Sequence, residues 1–313
     1  MKRNRKDFAT RAEWLEARKL GIGASDVATV VGLNPYKTPL KLWREKLGLD
    51  APEEENEAMR RGQYLEDAVA RWWANETGRE IIAASKTDFL FIDETRNYLR
   101  VSPDRTFWIP DAVRNDDNKG ILECKTTMMN VDPDDIPKTW FCQVQMNLGV
   151  AGYTHGSLAW MCGNFKFGYV DIEFVPEFYQ WLVDAVEKFW TFNIMQKVEP
   201  EPVNSTDVLI KYNQHVSGKI IEVGDEVLNA YNELKEIKKH IAELDGKKGE
   251  LEERIKLSFG DAEAVTHDGI TLATWKASKP SMKFDEKAFK AANPSEWDKY
   301  AKEVAGSRRF LLK

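Results

Sequence analysis

Apolar residues recur every three or four positions through the first part of the chain, as they do along one face of an α-helix. Ser25 stands before one such stretch as a potential N-cap, Pro39 begins another, and Gly78 follows a third. The pattern predicts helices over residues 10–20, 26–31, 39–48 and 56–78.

The pattern then changes to short runs of β-branched and aromatic residues that are divided by Asp, Asn and Gly. These runs predict strands within residues 80–93, 98–109, 120–127, 155–162 and 165–174. Helical periodicity returns in two further stretches, residues 138–152 and 176–196. The alternation of helices and strands predicts an α/β core over residues 1–196.

The last part of the chain is organised differently. A proline-bearing stretch indicates a linker over residues 197–224, and a heptad-like apolar stripe then runs through residues 225–259. Gly246 and Gly249 interrupt the stripe, so the pattern allows either one long helix or a helical hairpin. The C-terminal region, residues 225–313, is completed by a tail and by a β-hairpin that turns at His267, Asp268 and Gly269.

The composition is that of a globular protein, with 42% hydrophobic and 31% charged residues among 313. No apolar stretch reaches the about 18 residues that a membrane-spanning helix needs, and no apolar segment follows the basic N-terminus as in a secretory signal. The three cysteines and four histidines are scattered, which argues against disulfides and against zinc or iron–sulfur sites. We therefore expect a cytoplasmic protein, in which any metal has oxygen ligands.

The net charge of −6 argues against a general polyanion-binding protein. The charge is unevenly distributed, because residues 2–19 are rich in Lys and Arg. A local basic groove is therefore compatible with the acidic total.

Glu123 and Lys125 stand two residues apart at the end of a predicted strand, so their side chains are expected on the same face of the sheet. Asp104 follows a neighbouring predicted strand. Two carboxylates placed close together repel each other, and a divalent cation such as Mg²⁺ removes that conflict. The carbonyl of Cys124 is a candidate further ligand. Lys125 is a candidate to orient or deprotonate water, or to stabilise charge on a phosphorus centre.

Each of these residues also has an ordinary structural interpretation. Glu-x-Lys in a strand is most often a surface ion pair of small energetic value, and Cys124 is more typical of a packed strand residue than of a nucleophile. Glu66 is compatible with a solvated helix charge, Ser25 with an N-cap, and Gln143 and Gln145 with polar positions of a helix.

The order of five segments nevertheless resembles the YqaJ family of viral recombinases, phage-type exonucleases related to lambda exonuclease. The segments are RKLGIGASDVATVVGLNPYKTPLKLW, RGQYLEDAVARWW, SPD, ECKTT and QVQMNLGVAGY, which together cover most of residues 10–160. The later stretches GITLATWK and SRRFLLK also resemble that family. The resemblance implies a PD-(D/E)XK, restriction-endonuclease-like core with a mixed central sheet flanked by helices.

Carried over by motif, the resemblance implies four catalytic residues: Glu66, Asp104, Glu123 and Lys125. Asp104, Glu123 and the carbonyl of Cys124 would bind Mg²⁺, with Mn²⁺ as a substitute, and Glu66 would complete a site for a second ion. Two ions stabilise both the attacking and the leaving oxygen of a phosphodiester. Arg105 stands where such motifs often have glycine, and DNA contact and simple exposure stay open as its roles.

Arg18, Ser25, Ser102 and Gln143 match the positions that hold the terminal 5′ phosphate in lambda exonuclease, with Gln145 as a weaker candidate. A guanidinium can bind phosphate through two hydrogen bonds, to which a hydroxyl adds a third donor. The resemblance also implies double-stranded DNA ends as the substrate and a RecT/Bet-like single-strand annealing protein as a partner. It further implies a homo-oligomer such as a trimeric ring, in the cytoplasm of a bacterium that carries a phage or prophage.

The implied function is a Mg²⁺-dependent 5′→3′ exonuclease that degrades linear double-stranded DNA. Its product, a 3′ single-stranded overhang, would serve phage-type recombination by single-strand annealing. Two alternatives stay open at this point. A structure-specific or restriction-like endonuclease of the same fold would cut internally, and a non-catalytic DNA-binding scaffold would not cut at all.

Overall fold

The structure, a computed structural model, describes residues 4–51, 56–82, 88–302, 306 and 308–312. It divides the chain into two compact units, Met1–Lys211 and Tyr212–Lys313. Lys2 and Arg3 of the basic N-terminal segment lie outside the described residues. Within the described part, no helix combines the length and the apolar composition that crossing a membrane requires.

The helices of the first unit are α1 (Arg11–Lys19), α2 (Ala24–Val30), α3 (Pro39–Lys46), α4 (Glu57–Thr77), α5 (Lys138–Ala151), α6 (Pro176–Lys188) and α7 (Ser205–Lys211). A π-helical segment, Phe189–Met195, continues α6. The strands are β1 (Arg5–Asp7), β2 (Ile81–Ile82), β3 (Phe89–Ile92), β4 (Arg100–Val101), β5 (Arg105–Trp108), β6 (Lys119–Thr127), β7 (His155–Cys162) and β8 (Phe167–Glu173).

These bounds confirm the predicted helices and strands of the core. Helix α2 begins at Ala24 with Gly23 as its N-cap, so the interpretation of Ser25 as the N-cap is wrong. Residues 83–87, part of the predicted β-type run 80–93, lie outside the described residues. Strand β1 was not predicted, because its three residues are all charged and carry no apolar signal.

The first unit continues beyond residue 196, where the sequence pattern placed the end of the core. The buried carboxylate of Asp207 in α7 accepts hydrogen bonds from Thr38 Oγ1 at 2.8 Å and from the backbone N–H of Val203 at 3.1 Å. These bonds attach the first part of the predicted linker, residues 197–224, to the core. The pattern of apolar residues does not predict these hydrogen bonds, because the contact is polar.

A five-stranded mixed sheet forms the centre of this unit, in the order β2-β5-β6-β7-β8. Strands β6 and β7 are parallel, and the other neighbouring pairs are antiparallel. Residues 120–124 in the middle of the sheet are buried, as expected of a strand covered on both faces. A smaller antiparallel sheet has the order β1-β3-β4. The predicted mixed central sheet with flanking helices is therefore confirmed.

The two faces of β6 are covered by different helices. Leu122 and Cys124 pack with apolar residues of α4, whereas Ile121 belongs to the cluster that contains the apolar residues of α5. Because alternate residues of a strand point to opposite faces, Glu123 and Lys125 share the face of Ile121 and of α5.

Helix α5 is the crossover that two parallel neighbours such as β6 and β7 require. Half of its 14 residues are buried, including Gln145 and Asn147. The helix ends at Gly152, whose φ of 69° is the left-handed conformation usual at a helix C-terminus. Gln143 and Asn147, four residues apart, lie on one side of the helix.

The second unit contains α8 (Asp225–Leu257), β9 (Ala264–His267), β10 (Ile270–Thr274), α9 (Glu286–Ala292) and α10 (Pro294–Tyr300). Helix α8 runs without interruption through Gly246 and Gly249, so the alternative of a helical hairpin is wrong. Each glycine costs only about 1 kcal/mol relative to alanine inside a helix, and the neighbouring Glu and Lys residues favour the helical conformation.

The predicted β-hairpin is confirmed, since β9 and β10 pair antiparallel. Asp268 and Gly269 form its turn with φ values of 48° and 77°. A two-residue turn with both φ values positive matches the right-handed twist of the strands that it joins.

Candidate active site

Glu123 and Lys125 form a buried ion pair on β6. The Nζ of Lys125 lies 2.7 Å from Oε1 of Glu123, and the two side chains are 20% and 2% exposed, respectively. Their position on one face of the sheet is as predicted. Burial of a charged pair is costly unless further hydrogen bonds satisfy it, so this pair differs from an ordinary surface ion pair.

Two amides of α5 supply those further hydrogen bonds. The Oε1 of Gln143 accepts a hydrogen bond from Lys125 Nζ at 2.8 Å. The Nε2 of Gln143 donates a hydrogen bond to Oε1 of Glu123. Asn147 donates from Nδ2 to Oε2 of Glu123 at 3.0 Å. Both oxygens of Glu123 are therefore held by donors from α5.

Asn147 is a site residue that the sequence reasoning missed. The available signal was its spacing from Gln143, because two amides four residues apart lie on the same side of a helix. Its Oδ1 is buried and has no hydrogen-bond partner among the residues that the structure describes.

Asp104 joins this cluster from the residue before β5. Its Oδ2 accepts a hydrogen bond from the backbone N–H of Cys124 at 2.7 Å. The antiparallel register pairs Arg105 with Leu122, so Asp104 and Glu123 come next to each other along the ladder. The three residues Asp104, Glu123 and Lys125, predicted from separate motifs, are brought together by strand pairing.

The cluster carries an excess of negative charge. Burial raises the pKa of the Asp104 carboxyl well above its ordinary value, and the charges of Glu123 and Glu66 raise it further. Burial also raises the pKa of Glu123, although Lys125 opposes the shift. Burial alone would lower the pKa of Lys125, but the attraction of Glu123 and Asp104 outweighs it and raises that pKa. Lys125 is accordingly protonated at neutral pH.

Glu66 reaches the site from α4 and is paired with Arg105. The Nη1 of Arg105 donates to Oε1 of Glu66 at 2.6 Å and to the backbone carbonyl of Asp104 at 2.6 Å. Burial by itself lowers the pKa of Arg105, and the nearby charge of Glu66 raises it above its ordinary value. Arg105 is therefore neither simply exposed nor free, because it connects α4 to the start of β5.

The thiol of Cys124 lies on the opposite face of β6 from the side chain of Glu123. Its side chain belongs to the apolar cluster beneath α4, and burial raises the pKa of the thiol far above its ordinary value. A neutral buried thiol is a poor nucleophile. Cys124 contributes to the site through its backbone, as its hydrogen bond to Asp104 shows.

One cavity of about 590 Å³ is lined by all of the predicted site residues except Gln145. Its lining includes Arg18, Ser25, Glu66, Ser102, Asp104, Glu123, Cys124, Lys125 and Gln143. Gln145, the weaker candidate, lies elsewhere, where its amide bonds the carbonyl of Glu173 at 2.7 Å and the backbone N–H of Val175 at 2.9 Å. Those bonds connect α5 to the start of α6, which makes Gln145 a structural residue.

Beside Arg18, the cavity is lined by Arg11 and Arg100, which the sequence reasoning did not select for the site. Arg11 and Arg18 both lie over the indole ring of Trp14, with their guanidinium carbons 3.8 Å and 4.5 Å from its centroid. Arg100 and Arg105 are the other two arginines of the lining. Burial lowers the pKa of Arg18, but a guanidinium stays charged at neutral pH. The helical spacing of Arg11, Trp14 and Arg18 was the signal that would have identified this group.

Close backbone pairing brings the two predicted serines into the same cavity. Ile22 donates from its N–H to Tyr98 O at 2.7 Å, and Arg100 donates to Ile22 O at 3.1 Å. This pairing sets the loop between α1 and α2 beside β4, so that Ser25 and Ser102 both face the cavity. A Cβ at Gly21 would lie 2.2 Å from Tyr98 O, and the loop therefore requires glycine there.

Asp26 stabilises the loop between α1 and α2 through a hydrogen bond and an ion pair. Its Oδ2 accepts from the backbone N–H of Gly23 at 3.1 Å and pairs with Lys46 Nζ at 2.8 Å. Burial by itself raises the pKa of Asp26, but the charge and hydrogen bond of Lys46 outweigh it and hold that pKa below its ordinary value.

Only some of the carboxylates in the cavity are available as ligands for a hard divalent cation such as Mg²⁺. Asp104 and Glu123 are carboxylates whose pKa values are raised chiefly by burial and further by neighbouring carboxylates, and a bound cation of this kind would offset both effects. Glu66 is instead held by Arg105. In the described part of the chain, no group of three or more His, Cys, Asp or Glu side chains is arranged to hold a metal ion. In this arrangement, the ligands that fit such a cation are therefore two carboxylates together with backbone and water oxygens.

Comparison with known proteins identifies the family. The sequence model of the YqaJ-like viral recombinase domain matches residues 13–154. The uncharacterized protein YqaJ of Bacillus subtilis (strain 168) is 30% identical over 315 residues, which cover 97% of this chain and 94% of that protein.

Among solved structures, an alkaline exonuclease from Laribacter hongkongensis has 20% identity and a TM-score of 0.47, covering 59% of this chain and 93% of that one. A second crystal structure of that enzyme contains dAMP. A phage related exonuclease from Haemophilus somnus 129PT has 11% identity and a TM-score of 0.41, covering 57% and 96%. Because the Bacillus relative aligns with nearly the whole of both chains, this protein belongs to the YqaJ-like viral recombinase family.

Proposed function

We propose that this protein is a Mg²⁺-dependent 5′→3′ exonuclease that degrades linear double-stranded DNA and leaves 3′ single-stranded overhangs for recombination. One observation carries the proposal: a single cavity is lined both by the Asp104, Glu123 and Lys125 cluster and by Arg18 with Ser25 and Ser102. A cleavage centre beside a group of phosphate-binding donors suits an enzyme that acts at a DNA end. Membership of a viral recombinase family supports a role in recombination.

The arrangement of strands supports a PD-(D/E)XK core. Asp104 immediately precedes β5, Glu123 and Lys125 lie on the adjacent antiparallel strand β6, and α5 then crosses to the parallel strand β7. In this assignment Asp104 is the first acid of the motif, Glu123 the second, and Lys125 its lysine.

Asp104, Glu123 and the carbonyl of Cys124 would hold Mg²⁺, for which Mn²⁺ is a substitute. A bound ion of this kind polarises the phosphoryl oxygen and lowers the pKa of water. Glu66 would help to hold a second ion once Arg105 releases its carboxylate. The pairing of Arg105 with Glu66 thus makes the second metal position depend on the first contacts with DNA.

Lys125 has a defined role in this proposal. Two of the three N–H donors of an ammonium are used by Glu123 and Gln143, and the third is available to a phosphate oxygen. Its raised pKa keeps it charged. We therefore assign Lys125 to stabilise the charge that develops on the phosphate, in preference to deprotonating water.

Arg18, Ser25 and Ser102 are proposed to bind the 5′ phosphate at the end of the duplex. Arg18 is held against Trp14, so less side-chain freedom is lost when it binds a phosphate. Gln143 lies between this group and the carboxylates through its bonds to Lys125 and Glu123. Through these bonds of Gln143, the binding of a phosphate would affect the position of Lys125.

The remaining expectations follow from the family resemblance and form part of the proposal. They are a RecT/Bet-like single-strand annealing protein as partner, a trimeric ring, and action in the cytoplasm of a phage-bearing bacterium. The net charge of −6 is compatible with DNA binding, because Arg11, Arg18 and Arg100 concentrate positive charge in the cavity.

The proposal is tested with end-labelled linear duplex DNA, with and without a 5′ phosphate, alongside closed circular duplex in Mg²⁺. We expect mononucleotides released from the 5′ end of linear DNA, faster with the phosphate, and intact circles. Lys125→Ala should abolish release, whereas Lys166→Ala, an exposed lysine outside the cavity, should not. Cutting of closed circles would instead indicate the endonuclease, and DNA binding without cleavage in Mg²⁺ or Mn²⁺ would indicate the scaffold.

A further inference from the structure

An apolar seam along α8 is exposed. Ile237, Ile241, Leu244, Leu251 and Ile255 are each between 46% and 63% exposed, and no residue of α8 is buried. A helix in water gains most of its stability by packing an apolar face. The seam therefore indicates a binding surface.

The seam has the spacing and residue types of a coiled coil. In one continuous heptad register, Ile241, Lys248 and Ile255 occupy the a positions, and Ile237, Leu244 and Leu251 occupy the d positions. β-branched residues at a with leucine at d favour two parallel strands, and a single lysine at a restricts the register and the number of strands.

The charges beside the seam determine what it can bind. In the same register, the e positions are Lys238, Asp245 and Glu252, and the g positions are His240, Lys247 and Arg254. In a parallel pair each g position meets the e position of the next heptad of the other helix, so Lys247 meets Glu252. In an antiparallel pair g meets g, which brings the basic side chains of Lys247 and Arg254 against basic g residues of the other helix. The charge pattern therefore complements a second, parallel copy of itself.

The local contacts of α8 leave these charges available. Glu252 lies 3.6 Å from Lys256 and 3.8 Å from Lys248, which is longer than a hydrogen bond. Gly246 and Gly249 fall at the f and b positions on the far side of the helix, and among the described residues no other part of the chain lies within 4 Å of the Cβ position of either. The glycines therefore do not interrupt the seam.

We propose that residues 237–257 form a two-stranded parallel coiled coil with the same segment of a second copy of this chain. The occupant of the seam is another identical helix, since its charges and its a and d residues match those of that helix in parallel orientation. This surface belongs to the second unit and is independent of the cavity and its chemistry.

Sedimentation velocity of the full-length chain tests the association and its direction, because the pairing joins the species already present, whether these are monomers or the proposed trimeric rings. We expect Lys247→Glu to raise the dissociation constant roughly tenfold, because two interhelical attractions become repulsions. An equimolar mixture of Lys247→Glu and Glu252→Lys should associate as tightly as the original chain. The matched control Lys239→Glu makes the same charge change at an f position and should leave the constant unchanged.

Disulfide cross-linking tests the parallel register independently of any other contact between copies. Leu244→Cys and Leu251→Cys, studied separately under mild oxidation, should each give a covalent dimer on a non-reducing gel. An antiparallel pair brings at most one of these positions against itself. Cross-linking at only one position or at neither, tighter association of Lys247→Glu, or the same sedimentation of the original chain and of Lys247→Glu at every concentration would each overturn the proposal.

Discussion

Asn147 donates from Nδ2 to Oε2 of Glu123 across 3.0 Å, and both side chains are buried. The bond fixes the orientation of a carboxylate whose other oxygen is held by Lys125 and Gln143. A residue of the crossover helix therefore positions a carboxylate of the central strand, and the cluster depends on how closely α5 packs against β6.

Replacing Asn147 should affect both stability and catalysis. Asn147→Ala leaves a buried carboxylate oxygen without a donor, so we expect a loss of about 1–3 kcal/mol in the free energy of unfolding. Because Glu123 also loses its orientation, kcat of DNA degradation should fall by a larger factor than KM changes. Urea unfolding and steady-state kinetics measure the two effects.

Gln145→Ala is the matched control, since it removes another buried amide from the same helix. Its partners, Glu173 and Val175, lie outside the cavity. We expect a similar loss of stability with kcat unchanged. Equal losses of kcat in both variants would show that Asn147 acts only through the stability of α5.

Removing Arg105 should make the site bind Mg²⁺ more tightly. Arg105→Ala releases Glu66 and removes a positive charge from a partly buried site, so the dissociation constant for Mg²⁺ should fall roughly tenfold. Isothermal titration of the DNA-free protein with MgCl₂ measures this constant. Arg79→Ala breaks a comparable pair with Asp171 outside the cavity and should leave it unchanged. Weaker Mg²⁺ binding by Arg105→Ala would contradict the proposed place of Glu66 among the ligands.

The ion pair of Asp26 and Lys46 should make stability depend on pH in a defined direction. The pKa of Asp26 is lower in the folded protein than its ordinary value of 3.8. Its contribution is therefore complete at pH values above that ordinary value, and it is lost as the pH falls through the lower, folded value. Asp26→Asn should cost about 3 kcal/mol at pH 7, and the difference from the original chain should shrink as the pH falls below 3.8.

Urea unfolding of both proteins at a series of pH values measures that difference. Asp50→Asn breaks the more exposed pair with Arg44 and should cost less than about 1 kcal/mol. A cost of Asp26→Asn that is the same at all pH values would mean that packing, not charge, explains it.

Alanine substitutions of Gly21 and Gly23, both in the loop between α1 and α2, should differ in their effect on stability. A Cβ at Gly21 would overlap Tyr98 O at 2.2 Å, whereas the nearest atoms to a Cβ at Gly23 lie at 3.6 Å. Gly21→Ala should therefore cost about 1–3 kcal/mol, as overpacking does, and Gly23→Ala should be nearly neutral in thermal unfolding. An equal effect of both substitutions would mean that backbone freedom, and not the close approach to Tyr98, explains the requirement for glycine at Gly21.

Local periodicity was sufficient to predict much of this protein. The two-residue period of a strand determines that Glu123 and Lys125 share a face. The three- to four-residue period predicted the helices, and Asp268 with Gly269 predicted the hairpin turn. These features depend on neighbours in the chain, and the sequence contains that information directly.

Contacts between distant segments were decided only by tertiary structure. The amide of Asn147 meets Glu123, and Arg105 meets Glu66, because α5 and α4 pack on opposite faces of the central sheet. The attachment of α7 through Asp207 is likewise a polar contact between distant segments. The sequence by itself determined which residues share a strand face or a helix side, because local backbone geometry sets those periods. Only the packing of helices on the sheet decided which of those residues meet, because that depends on how complementary surfaces far apart in the chain fit together.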